Sequence, residues 1–398
     1  VAVKEMKEHT GEEYDNHGNW QRETKALKVF NRLRNPHTVR GIGAFTQRGK
    51  NFILMEWADG GDLGKVWTEI PDPHHQLTAA RVAQFLKQFR SLAYALHQMH
   101  NYKIEADSDF PGLVVPKKGE SNAGSPVDEP RPSKSVTEGQ HPHDRHVHFK
   151  QPEVQVKINE PSGTFENWRH GDLKPDNILR FKGEDSSSWL GRLKLADLGR
   201  AKQHMDKTGK RVNTTEIFTT LPYDPPEVWT ALYKGRSRLV DIWSFGCVLL
   251  ESVIWLLFGE SGLKRFKDRT TGIGSLYWTV ESIHIKKAKL SEATFEWINR
   301  LLDEDPELRP SEIGSALRDL ILLIRSKLLV IQLPADADVC ETGCRINIKT
   351  LVNELDGMIW KGEQNPLYLF SGKAEQQWQC PKSHSGRKLW NRRRVRSI

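Results

Sequence analysis

Apolar residues follow distinct patterns in different parts of this 398-residue chain. Val1 to Val3 and Phe52 to Met55 are short apolar runs, the second preceded by an Arg48-Gly49 turn, and both predict buried strands. Between them Trp20, Leu27, Phe30 and Leu33 recur at helical spacing with charged residues opposite, which predicts a helix over 20–33. From Ala80 to His97 the positions Val82, Phe85, Leu86, Phe89, Leu92, Ala93 and Leu96 keep the helical period closely. The stretch Leu239–Phe258 is apolar nearly all round and long enough to cross a bilayer. It also carries Asp241, Ser244, Glu251 and Ser252, which would be costly in lipid, so a buried helix of a soluble domain is expected.

Periodicity stops between these regions. Residues 101–165 are rich in Pro, Gly, Ser, Glu, Lys and His and offer too little apolar surface to offset the entropy of ordering. They read as a disordered insertion. His141, His143, His146 and His148 lie within it, and without an accompanying thiol set they read as a His-rich linker rather than a metal site. Regular structure is expected again from Phe165, with a strand over Leu193–Ala196, a loop-rich stretch to Glu227 and mostly helices to about Ile331.

Charge and cysteine content narrow the setting. The net charge of +8 is concentrated in the last residues, where Lys382, Arg387, Lys388, Arg392, Arg393, Arg394 and Arg396 follow one another without an acid. Such a run suits nuclear import, nucleic acid or an acidic partner, or is simply a solvated end. The expected location is cytoplasmic or nuclear. Cys247, Cys340, Cys344 and Cys380 are too few and scattered for a disulfide scaffold, so free thiols in a reducing compartment are expected.

The densest chemistry lies in His170-Gly171-Asp172-Leu173-Lys174-Pro175-Asp176-Asn177, which puts a carboxylate, an ammonium and an amide on one short loop. Phosphoryl transfer asks mainly for positioning and charge neutralisation. A carboxylate can take the attacking hydroxyl's proton, a cation can hold the moving phosphoryl group, and an amide oxygen can bind Mg²⁺. Further on, the strand ending in Asp197-Leu198-Gly199 places an acid where a metal could bridge phosphates. Thr220-Leu221-Pro222-Tyr223-Asp224-Pro225-Pro226-Glu227, Asp241-Ile242-Trp243-Ser244-Phe245-Gly246 and Asp305-Pro306-Glu307-Leu308-Arg309-Pro310-Ser311 follow in that order.

In order and spacing these motifs resemble the eukaryotic-type protein kinase family, of the serine/threonine kind. The runs Glu56-Trp57-Ala58-Asp59-Gly60 and Phe165 to Asn177 look like kinases of filamentous fungi. The resemblance implies an α+β, two-lobed fold with an incomplete β-rich small lobe over 1–57 and a mainly helical large lobe over 58–332. The insertion lies inside the large lobe, and residues 333–398 stay unassigned. It implies ATP and Mg²⁺ as cofactors and a protein as substrate; no membrane partner and a monomer are expected, and a nucleic-acid partner is not expected, although the basic tail leaves it open. Asp172 matches the catalytic base, Lys174 the phosphate-contacting lysine, and Asn177 and Asp197 the metal ligands. Lys4 matches the strand lysine that grips the phosphates. Glu23 is its best-placed partner, with Glu12 and Glu13 as alternatives. Met55, Glu56 and Ala58 match the hinge around adenine, and Asp62 either the ribose contact or a plain turn. Thr220 matches the threonine beside the base, Asp241 the acid that props the catalytic loop, and Glu227 with Arg309 a buried ion pair that fixes the substrate segment.

Two departures from the family pattern stand out. Gly171 replaces the usual arginine, so phosphates on Thr208, Thr214 or Thr215 would find no partner there. No glycine-rich loop precedes Lys4, and the chain reads as an incomplete piece. Two other readings remain: a pseudokinase-like scaffold, and a kinase of small molecules, which the Pro-Pro-Glu segment disfavours.

Overall fold

The computed structural model describes residues 1–6, 16–103, 165–183, 188–204, 222–228, 237–269, 277–280, 288–331 and 344–372. Residues 104–164 of the insertion expected over 101–165, with its histidine cluster, and Glu12, Glu13, Thr208, Thr214, Thr215, Thr220, Cys340, Cys380 and the basic tail lie outside the described residues.

Three antiparallel strands, in the order β1 (Ala2–Glu5), β3 (Lys50–Met55), β2 (Gly41–Gln47), form the first sheet. Ala2 pairs with Met55 and Lys4 with Ile53, which fixes which side of β1 carries the lysine. The structure corrects one expectation: Val1 and Val3 are exposed, because β1 borders this sheet and turns Ala2 and Lys4 the other way. Strand β2 was not foreseen. Its glycines and its Thr and Gln dilute the alternation, and a bulge lies between Gly41 and Gly43. Helix α1 (Asn16–Leu33) crosses this sheet on Trp20, Leu27 and Phe30, all buried.

The remaining described residues are mainly helical, and the architecture as a whole is mixed α+β. After α2 (Leu63–Glu69), helix α3 (Ala79–His100) starts on a Thr78 cap that accepts from the Arg81 N–H. It buries the stripe anticipated from the sequence. Beyond it β4 (Tyr102–Lys103) pairs with β5 (Phe165–Arg169), so Lys103 and Phe165 lie side by side. The short pair β6 (Ile178–Phe181) and β7 (Arg192–Leu195) follows, and β8 (Lys202–His204) pairs with β5.

Helix α4 (Leu239–Arg269) is the apolar stretch singled out above, and its membrane-like window is wholly buried. Gly259 breaks it, with φ 65° and ψ −169°; a Cβ there would stand 2.1 Å from the Pro71 carbonyl. Strands β9 (Trp278–Val280) and β10 (Ala288–Leu290) and helices α5 (Glu292–Glu304) and α6 (Ala316–Leu323) pack next. Residues left unassigned from sequence form α7 (Ile348–Gln364), which lies along α3, and α8 (Pro366–Leu369). Cys247 is a free, buried thiol as expected, but Cys344 is disulfide-bonded, which corrects the expectation for that residue.

Candidate active site

Three charged side chains meet where the first sheet approaches the end of β7. Lys4 Nζ lies 2.8 Å from Glu23 Oε1 and 2.9 Å from Asp197 Oδ1. The amphipathic period of α1 dictates the first contact: burying Leu27 and Phe30 turns Glu23 inward, where its side chain is 1% exposed. Burial works against the Lys4 ammonium, but the two carboxylates outweigh it and raise its pKa. Burial, helped by the nearby Asp197 carboxylate, raises the Glu23 pKa against the opposing pull of Lys4. For Asp197 burial also acts upward, yet Lys4 and the Gly199 N–H win and hold the carboxyl below its ordinary value. Asp197 adopts φ 55°, and that bend lets its side chain accept from Gly199.

The loop after β5 is held from below by Asp241, which is fully buried in the first turn of α4. Its Oδ2 accepts from the His170 N–H and its Oδ1 from the Gly171 N–H, both at 2.8 Å, while His100 Nε2 stands 2.8 Å from Oδ2. His170 Nε2 lies 3.0 Å from the Ala196 carbonyl and so joins the loop to the end of β7. Asn177 donates both to the Asp172 carbonyl (2.8 Å) and to Asp172 Oδ2 (3.0 Å). Lys174 Nζ sits 3.3 Å from Asp172 Oδ2.

Gly171 has φ 79°, and a Cβ on it would come within 2.9 Å of the Arg200 carbonyl. The loop geometry therefore requires glycine at this position, and an arginine there would need a different backbone. A cation nevertheless reaches the carboxylate from another element, since Arg200 Nη1 lies 3.3 Å from Asp172 Oδ1. Arg200 was not anticipated. Its only sequence signal is its place directly after Asp197-Leu198-Gly199.

A cavity of about 320 Å³ opens between the sheet and the loop. Met55, Glu56, Trp57, Ala58, Asp62, Leu179, Ala196, Asn177, Asp197 and Lys4 line it. The lining combines apolar Met55, Ala58, Leu179 and Ala196 with polar Asn177 and the paired Lys4 and Asp197, which suits an adenine nucleotide. Glu56 is also a tie: its carboxylate accepts from the Arg40 N–H at 2.8 Å and from the buried Lys194 Nζ at 3.0 Å. Asp62 caps α2, accepting from the Lys65 N–H at 2.9 Å, and still borders the cavity, so the turn and the nucleotide-facing readings coexist in it.

The donor set fits Mg²⁺ in kind. Asn177 spends its N–H groups on Asp172, which leaves the amide oxygen as the acceptor, and Asp197 adds a carboxylate that is 40% exposed. Among the described residues no three His, Cys, Asp or Glu side chains cluster as a metal site, so nucleotide phosphates and water would complete the coordination.

One expected contact is corrected. Glu227 is buried, but its partner is Arg345, with Nη1 2.6 Å from Oε1, and Arg309 is exposed. Arg309 instead borders a surface cavity with Ser311, Ser315 and Leu367. Arg345 already fills the space beside Glu227, reaching it from the segment that sequence reasoning left unassigned. Nearby, the Tyr223 hydroxyl donates to buried Glu251 at 3.1 Å, and Ser244 Oγ donates to the Tyr223 carbonyl at 2.9 Å.

Residues 166–320 match the family model described as the protein kinase domain. The chain is 26% identical over 177 residues to MAP kinase kinase kinase wis4 of Schizosaccharomyces pombe, covering 42% of this chain and 12% of that protein. It is 34% identical over 168 residues to rice mitogen-activated protein kinase 8, covering 36% and 28% respectively. The Drosophila melanogaster ovarian-specific serine/threonine-protein kinase Lok is 30% identical over 175 residues, covering 40% and 32%. The chain thus spans less than a third of the length of each of these curated relatives.

Proposed function

We propose that this protein is a serine/threonine protein kinase, using ATP and Mg²⁺ to phosphorylate a protein hydroxyl. The observation that carries the reading is the placement of Asp172. Asn177 holds it, Lys174 and Arg200 flank it, and the same loop is joined through His170 to the strand bearing Asp197. Bound Mg-ATP supplies the electrophilic phosphorus and a leaving group whose charge the metal offsets. In this reading Asp172 orients the acceptor hydroxyl and takes its proton. Lys174 neutralises charge on the transferring group, and Lys4, fixed by Glu23, holds the inner phosphates. Asn177 and Asp197 present oxygens to the metal, and Met55, Glu56 and Ala58 enclose the base. The residues 222–228 form the platform for the acceptor peptide. The substrate is a protein rather than a small molecule because that platform is built and anchored. The basic tail fits a cytoplasmic or nuclear protein.

The test is phosphate transfer from labelled ATP to a generic basic protein. Asp172→Asn should lower the rate by roughly a hundredfold or more, as loss of a general base does. Equal rates for the two proteins would remove Asp172 from its role. A wild-type chain that binds Mg-ATP but never turns over would favour the scaffold reading.

A further inference from the structure

Arg345 is 3% exposed and spends its whole guanidinium on buried Glu227 and on two half-buried backbone carbonyls. Nη1 donates to Glu227 Oε1 at 2.6 Å and to the Leu239 carbonyl at 2.8 Å. Nε and Nη2 donate to the Val330 carbonyl at 3.2 and 2.6 Å. The guanidinium plane lies over Trp243, 5.1 Å from the ring centroid. One side chain therefore joins the 222–228 segment, the start of α4 and the stretch after α6. Lysine could not copy this fork.

Arg345 lies outside the region that matches the kinase domain, and the backbone that carries it is held by residues that also lie outside it. The Ile346 N–H donates to the Lys327 carbonyl at 3.1 Å, and Asn347 caps α7 by accepting from the Thr350 N–H at 3.0 Å. Helix α7 then lies along α3, with Leu351 and Leu355 fully buried. Arg309 is exposed and borders the surface cavity with Ser311 and Ser315 instead.

From this we infer that the segment 344–372 is a working part of the phosphotransfer apparatus, with Arg345 as the positioning residue that fixes the acceptor platform through Glu227. This deepens the kinase reading and rests on it. Truncation before Arg345 would leave the nucleotide site intact and the acceptor site loose. Glu227 would then lose the 2.6 Å charge-assisted contact that Arg345 supplies, and the segment it anchors would be held less tightly.

The full chain and its Arg345→Met, Arg345→Lys and Arg309→Met variants decide the matter by two measurements. Backbone hydrogen exchange over 222–228 should quicken about tenfold or more in both Arg345 variants and stay within about twofold in Arg309→Met. With Mg-ATP and an acceptor protein, kcat/KM for the acceptor should fall about tenfold or more in the Arg345 variants. KM for ATP should stay within about twofold, a split that general loosening of the fold would not produce. Faster exchange in Arg309→Met with none in the Arg345 variants would overturn the inference, as would equal changes in both KM values. If Arg345→Met does not fold, Arg345→Lys, which keeps the charge and loses the fork, carries both measurements. Absent turnover in the wild-type chain would count against the kinase reading alone, since hydrogen exchange tests the anchor without it.

Discussion

Asp241 and Glu227 are both buried acids that fix a loop of the candidate active site, and they find their partners in different ways. Asp241 is satisfied chiefly by the backbone N–H groups of His170 and Gly171, with His100 adding a third contact. Any residue in the loop supplies an N–H, so this contact needs only the acid and the loop conformation. Glu227 depends on a side chain, and a guanidinium can arrive from any element that passes nearby. Here it comes from Arg345 instead of Arg309. Backbone-satisfied acids can therefore be placed from sequence motifs, whereas the partner of a side-chain-paired acid can change elements.

The largest expected effect is on the first of these. Asp241→Ala strands two buried N–H groups and the His100 ring, and should cost roughly 3–5 kcal/mol of stability by chemical denaturation. The wild-type carboxyl also sets a pH dependence. Burial pushes its pKa up, but His100, His170 and the Gly171 N–H outweigh that and hold it below 3.8. A depressed acid contributes stability that is complete above its unfolded value and is lost as pH falls through the folded one. The difference in stability between wild type and Asp241→Ala should therefore shrink on acidification below pH 3.8. A constant difference across that range would remove the charge from the argument.

Next comes the attachment of α7. Leu355 is fully buried against the rest of the protein, and Leu355→Ala should cost about 2–5 kcal/mol through lost burial and a residual cavity. Hydrogen exchange in α7 should rise with it. Exchange that rises in α7 and also over 222–228 would tie the segment held by Glu227 to the attachment of α7. A change confined to α7 would separate them. Smaller still is the effect of Gly171→Ala. The left-handed backbone and the 2.9 Å approach to the Arg200 carbonyl should together cost about 1–2 kcal/mol. Gly171→Arg should do no better, because the obstacle is the backbone.

Much of this site was legible in the sequence, for identifiable reasons. Asp172, Lys174, Asn177 and Asp197 sit on one short loop and one strand end, where spacing along the chain is nearly spacing in space. Glu23 followed from the period of α1, since burial of Leu27 and Phe30 leaves one inward acid facing Lys4. Strand β2 was missed because Gly41, Gly43, Thr46 and Gln47 weaken its pattern, and pairing with β3 decides it instead. Arg200 and Arg345 were missed because both are isolated arginines whose partners come from tertiary packing. Helix α7 has a clear apolar stripe in Ile348, Leu351, Val352 and Leu355, but no motif says which helix it packs on.

The smallest expected effect concerns what holds α7 to α3 at its rim. Arg90 donates to Asp356 through Nε at 2.7 Å and Nη2 at 2.9 Å, a two-pronged pair with side chains 31% and 47% exposed. Lys87 and Glu363 pair at 3.0 Å one turn along and are more exposed still. The Arg90 geometry is good, yet water screens both charges, and ordering two long side chains offsets most of the attraction. Asp356→Ala should therefore cost less than about 1 kcal/mol, and the difference should fade in about 1 M salt, where screening reaches within a few ångströms. Exchange over 222–228 should not change, because Arg345 is placed by Asn347, Lys327 and the buried face of α7, not by this rim. A cost comparable to that of Leu355→Ala, insensitive to salt, would mean that the ion pair carries the docking. In that event the apolar face would be the lesser part of the attachment that brings Arg345 to Glu227.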